Sequence, residues 1–132
     1  MSPRYLLVED RPLRIEWFKD RFGPENLVHT LDVDEAIELL ALGSFEYLFL
    51  DHDLGTEPKA GRDIALWLIA HPAILPNLKI ITHTHNSVSG QKIERELQAC
   101  GRYATWLPYD YLPSVHPLER ALETAAIFAA AR

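Results

Sequence analysis

Hydrophobic and polar positions alternate along the chain in blocks of two kinds. Short apolar runs of four or five residues are separated by longer stretches in which apolar residues return every three or four positions. The runs Arg4 to Val8, Leu27 to Thr30, Tyr47 to Leu50, Leu78 to Ile81 and Tyr103 to Leu107 predict buried strands. The stretches between them predict helices. Ile15, Phe18 and Phe22 mark the first, which Gly23-Pro24 stops. Asp32 caps the second, and Glu35 completes a capping box ahead of the stripe Val33, Ala36, Ile37 and Leu40, which Gly43 ends. Gly61 opens the third over Ile64, Ala65, Leu68 and Ile69, and His71-Pro72 breaks it. Ile93 and Leu97 mark the fourth, ending near Cys100-Gly101, and a last helix begins near Pro117 with Leu118, Leu122, Ala125 and Phe128. Strands alternating with helices through short connections call for a parallel sheet with helices on both faces and right-handed crossovers. With no repeat or linker, residues 1–132 are expected to form one domain.

Composition narrows the class. At 132 residues the chain can bury a core without disulfides or a structural metal. Hydrophobic residues at 48% against 24% charged fit a folded protein and argue against disorder. A net charge of −6 sets bulk electrostatics against extended duplex nucleic acid and anionic membrane. A small anion can still bind where a metal or a helix end reverses the local field. The single cysteine, Cys100, leaves no internal disulfide and no thiolate metal site, so a reducing cytoplasm is expected. With no apolar leader and no long apolar span, neither secretion nor membrane insertion is indicated.

The stretch Tyr47 to Gly55 carries the chemistry. Its apolar run ends abruptly in Asp51-His52-Asp53, at the carboxyl end of a buried strand, where open α/β sheets bind ligands. If the strand order is 2-1-3-4-5, the ends of strands one, three and four are neighbours. They deliver Glu9 and Asp10, then Asp51, His52 and Asp53, then His83, Thr84, His85 and Asn86. Four of the nineteen acids and three of the six histidines then gather at one edge. Singly, each has an ordinary structural explanation: Asp10 as a helix cap, His52 as a core imidazole, Asn86 as an N-cap. Their joint placement is what points to a site. Carboxylates this close repel one another unless a cation intervenes. Oxygen ligands favour Mg²⁺ or Mn²⁺, and the added imidazoles admit Mn²⁺, Zn²⁺ or Fe. Thr84, Asn86, Ser87, Ser89 and Gly90 lead into a helix whose free N–H groups suit phosphate. Arg14, one turn into the first helix, either contacts that phosphate or is a solvated surface charge.

The Glu9-Asp10 pair, Asp51 ending the third strand and Thr84 after the fourth resemble a response-regulator receiver domain across essentially the whole chain. The resemblance implies a flavodoxin-like three-layer sandwich with a five-stranded parallel sheet of order 2-1-3-4-5. It also implies Mg²⁺ at the acid pair and Asp51, with Asp51 as phosphoryl acceptor. Receivers place a lysine before a proline after strand five; here Leu107 precedes Pro108, and Ala104 stands where an aromatic switch residue is expected. A narrower match is closer. Leu50-Asp51-His52-Asp53-Leu54-Gly55, then Gly61, Trp67 and His83-Thr84-His85-Asn86 followed by Gly90, is similar to the cyclic-phosphate-processing receiver-like family. Two departures are the loop Asn86 to Gly90, one residue longer than that family's usual pattern, and Glu9 where an aspartate is commoner.

The expected function is a metal-dependent phosphoesterase that opens a cyclic phosphate, either an RNA 2′,3′-cyclic end or a small cyclic phosphate. Asp10 and Asp51 are expected to hold the cation, with Glu9 and Asp53 as direct or water-mediated ligands. His83 and His52 are the acid–base candidates. Thr84, Asn86, Gly90 and Arg14 are expected to grip phosphate, and His85 is left open as ligand, proton carrier or surface group. Two alternatives stand beside this reading. One is a two-component receiver phosphorylated on Asp51. The other is a non-catalytic module that binds a protein partner, for which the apolar segment Trp106 to Leu112 is a candidate surface, unless that segment simply packs on the last helix.

Overall fold

The structure, a computed structural model, describes residues 4–55 and 59–111, so the predicted last helix lies outside the described residues. Five strands are formed: β1 (Tyr5–Val8), β2 (Leu27–Thr30), β3 (Tyr47–Leu50), β4 (Lys79–Thr82) and β5 (Tyr103–Trp106). Helices α1 (Pro12–Phe22), α2 (Val33–Leu42), α3 (Gly61–Ala70) and α4 (Ser87–Ala99) connect them, with short 3₁₀ turns at Pro24–Asn26 and Tyr109–Tyr111. The sheet is parallel throughout, in the order β2-β1-β3-β4-β5, the arrangement of the flavodoxin-like receiver fold. The strands end level: Thr30, Val8, Leu50, Thr82 and Trp106 form one row across the sheet. Loops from three adjacent strands therefore leave at the same height beside the point where the chain reverses its winding direction between β1 and β3.

Period-two alternation divides the core. Leu6, Val8, Leu48, Leu50, Ile80 and Ala104 pack against α2, α3 and α4. Leu7, Phe49 and Ile81 face the other way, against Phe18 of α1, with Trp17, Tyr109 and Leu107 around them. That packing engages the segment after β5: Tyr109 meets Trp17 edge-on, and the Trp106 indole donates to the Thr84 carbonyl at 2.9 Å.

The helix caps differ from expectation in one detail. Asp32 accepts the N–H groups of Asp34 and Glu35 at 2.8 and 3.3 Å, but the reciprocal half of the box is replaced by Thr30, whose hydroxyl accepts the Asp32 N–H at 3.1 Å. At the amino edge of the sheet, Arg102 is buried and donates to the carbonyls of Leu68, His71 and Leu75 at 3.1, 2.8 and 2.7 Å, closing the C-terminus of α3.

Candidate functional site

The strand ladder continues one residue past each strand, and this places the site. The Glu9 N–H bonds to the Thr30 carbonyl, Asp51 to Val8 and His83 to Leu50, at 3.0 to 3.2 Å. Glu9, Asp51 and His83 therefore keep the parity of Leu7, Phe49 and Ile81 and project to the α1 side. One donor atom from each lies within 4.8 Å of the others.

Glu9 is the most committed of the three. One oxygen accepts the Asp10 and Arg11 N–H groups at 3.0 and 3.2 Å, just ahead of α1, and the other meets His83 Nε2 at 2.9 Å and Arg14 at 3.5 Å. Burial is the largest influence on its acidity and pushes upward. The hydrogen bond and charge of His83, with the Arg11 N–H, outweigh it and hold the carboxyl down at about 2. His83 is fully buried beneath the site, tilted against Phe18 at 5.1 Å, and its Nδ1 has no hydrogen-bond partner among the described residues. Asp51 behaves oppositely. Burial raises it to about 6, and the Glu9 carboxylate adds to the rise, against the opposing charges of His83 and Arg14. Asp10 is also raised, by burial first and then by Glu9.

A cavity of ≈ 190 Å³ opens above this layer. Three carboxylates line it, those of Asp10, Asp51 and Asp53, facing Arg11, Arg14 and His85. Gly55 lines it at φ +64°, a backbone conformation that residues with a side chain rarely adopt, and a Cβ there would stand 2.7 Å from Asp10 Oδ2. Gly61 has the same function for the backbone: a Cβ would strike the Asp51 carbonyl, which the start of α3 abuts. Arg14 is 6% exposed, stacks over Tyr109 at 4.6 Å, and reaches Glu9 and Asp51 only at 3.5 and 3.6 Å. His85 is open, 45% exposed, with Nε2 3.3 Å from Asp110.

The structure thus brings Asp10, Asp51, Asp53 and Arg14 to one space and sets the other expected site residues outside it. Glu9 and His83 lie beneath. His52 turns its Nδ1 to the Arg62 N–H at 3.4 Å, at the start of α3. The Thr84 hydroxyl donates to Asp53 at 3.4 Å and accepts the Asn86 N–H at 3.2 Å, so it braces the cavity wall. Asn86 caps α4 by accepting the Ser89 N–H at 3.1 Å, and Gly90 packs so closely on Trp106 that a Cβ would clash with the indole. Arg11 was not anticipated, since a solvated arginine at a helix start carries no pattern of its own. Glu9, Asp51 and His83 would bring nitrogen to a metal, but His83 Nε2 is already paired with Glu9. The cavity carboxylates have the chemistry a hard divalent cation takes: they are oxygen donors, they face a shared space, and Asp10 and Asp51 are raised chiefly by burial, a rise that a cation beside them would oppose.

Comparison with known proteins agrees with this fold. The family described as cyclic-phosphate processing receiver domain matches residues 4–99. Solved structures share the fold. The response regulator receiver domain (CheY-like) from Methylobacillus flagellatus superposes with TM-score 0.70 at 18% identity, over 95% of this chain and 99% of that one. The response regulator TrrA from Thermotoga maritima, in complex with Mg²⁺ and BeF, gives 0.65 at 17% identity, over 90% and 98%. The receiver domain of a LuxO repressor protein from Vibrio parahaemolyticus gives 0.62 at 24%, over 96% and 98%. No curated protein matches the chain. Among the described residues no helix is long and apolar enough to cross a membrane.

Proposed function

The chain belongs to the cyclic-phosphate processing receiver domain family, and from that premise we propose that it is a metal-dependent phosphoesterase opening a cyclic phosphate, an RNA 2′,3′-cyclic end or a small cyclic phosphate. One observation carries the reading: carboxylates, guanidinium groups and an imidazole all face the same ≈ 190 Å³ cavity. Asp10, Asp51 and Asp53 would hold the divalent cation, which when bound neutralises phosphate charge and lowers the pKa of a water. Arg14, held by Tyr109 beneath it, presents its planar fork to the phosphate oxygens, and Arg11 adds charge from the rim. Ring opening adds water across one P–O bond. The water oxygen goes to phosphorus, and its proton passes through His85 to the departing alkoxide. Asp110 orients His85 from the outer side. His83, from below, positions Glu9 and through it the start of α1. The test is hydrolysis of adenosine 2′,3′-cyclic monophosphate with and without Mn²⁺, for the native chain, Asp51→Asn and His85→Ala. Turnover that needs the metal and falls at least 100-fold in both variants is expected; no metal-dependent turnover across several cyclic phosphates defeats the reading.

A second reading, phosphorylation of Asp51 in signalling, is favoured by one specific contact. Arg14 Nη1 lies 3.6 Å from Asp51 Oδ2, so the acceptor has a cation beside it although Leu107 stands in the place of the receiver lysine. Incubation with a small phosphodonor followed by intact mass separates the two. A stable adduct absent in Asp51→Asn supports signalling.

A further inference from the structure

The acid cavity is too small to enclose an ester as large as a nucleotide. At ≈ 190 Å³ it falls below the ~300–1,000 Å³ of sites that enclose a complete small molecule. It can take a phosphoryl group with its cation, and the organic part must lie elsewhere. One adjoining groove shares its wall. This groove measures ≈ 530 Å³, and Arg11, Arg14 and His85 line both spaces. Its remaining walls are Pro12, Leu13, Tyr109 and Asp110.

These residues have a chemistry of their own. Leu13 is 85% exposed and joins neither core cluster among the described residues, so its side chain offers apolar surface to the groove. Pro12 beside it continues the apolar strip, and Tyr109 adds an aromatic ring that the Arg14 guanidinium already stacks upon. Asp110, 74% exposed, offers an acceptor at the far rim. A sugar or polyol phosphate, hydroxylated on all sides, would leave much of this apolar strip unused. A planar aromatic base would gain from the leucine, the ring and the flanking guanidinium groups together, and its amino group or the ribose hydroxyls would meet Asp110.

We infer that this groove is a nucleoside subsite, and that the phosphate held in the acid cavity is carried by a nucleotide whose base lies along Pro12, Leu13 and Tyr109. The inference rests on the phosphate reading of the cavity. Its test is calorimetric titration of the full chain in Mn²⁺ with adenosine 3′-monophosphate and with inorganic phosphate, for the native protein and Leu13→Ser. The nucleotide binds at least tenfold more tightly than phosphate, and Leu13→Ser weakens the nucleotide about fivefold while leaving phosphate unchanged. Equal affinity for the two ligands, or a Leu13→Ser protein that keeps full nucleotide affinity, overturns the subsite and leaves the phosphate reading standing. Failure of both ligands to bind overturns the two together.

Discussion

Arg14 and Arg102 are the two buried arginines among the described residues, 6% and 3% exposed, and they lie at opposite edges of the sheet. Arg102 donates to three backbone carbonyls at 2.7 to 3.1 Å, in the region where α3 leaves its last carbonyls without helical partners. Arg14 has stronger partners by charge, two buried carboxylates, yet meets them at only 3.5 and 3.6 Å and faces a cavity. One cation is consumed by the fold. The other is held in place, by Tyr109 and by opposite charge, with its donors still able to shorten onto something else. Burial alone therefore does not separate an arginine spent on the fold from one with donors to spare; the geometry of its partners does.

The largest expected effect breaks the structural side. Arg102→Ala leaves three carbonyls without their donor and is expected to cost about 3–5 kcal/mol in urea unfolding, with phosphate affinity per folded molecule unchanged. A loss below about 1 kcal/mol would show that water replaces the guanidinium and that the contrast is false.

The carboxylates around Arg14 give the next effect, through pH. Asp51 rises from 3.8 in the unfolded chain to about 6, so the folded state binds its proton more tightly. Stability from this group is full below pH 3.8 and is lost as pH climbs through about 6, on the order of 3 kcal/mol in all. Glu9 runs the other way. Lowered from 4.5 to about 2, it contributes stability above pH 4.5 that is lost as pH falls toward 2. The metal-free protein is thus expected to be most stable near pH 4–5, and Asp51→Asn to flatten the decline on the alkaline side. Mg²⁺ is expected to raise the urea midpoint more at pH 7.5 than at pH 5. An optimum at pH 7 or above that Asp51→Asn does not move would contradict the assignment.

Smaller again is the expected effect of Arg14→Lys. The ammonium keeps the charge but loses the planar fork and the stack on Tyr109, and phosphate affinity measured by calorimetry is expected to drop about tenfold, with stability changed by less than 1 kcal/mol. Full retention would mean that Arg14 acts only as a point charge. Least is expected of Asp110→Asn, because its pair with His85 is solvent-exposed; a two- to fivefold change in turnover is the anticipated result.

Much of this was legible in residue order. The apolar runs place all five strands to within a residue, because a buried parallel strand has to be apolar on both faces. Asp51, two residues beyond Phe49, and Glu9, two beyond Leu7, carry the strand parity that turns them toward α1. His83 carries the same parity beyond Ile81, but parity alone does not separate it from Asp51, which lines the cavity while His83 lies fully buried. His85 and Arg11 carried no comparable mark.

Local pattern determines which stretches become strands and helices, since burial and helical or strand period are properties of neighbouring residues, and the short connections then leave few topologies open. Which imidazole meets solvent, which carboxylate is spent on a helix start and which arginine stays available depend on residues distant in the chain. Glu9 is bonded to His83 across 74 positions and Arg102 to Leu68 across 34. Those choices belong to packing, because a buried polar group settles on whatever partner the assembled fold brings within hydrogen-bond reach.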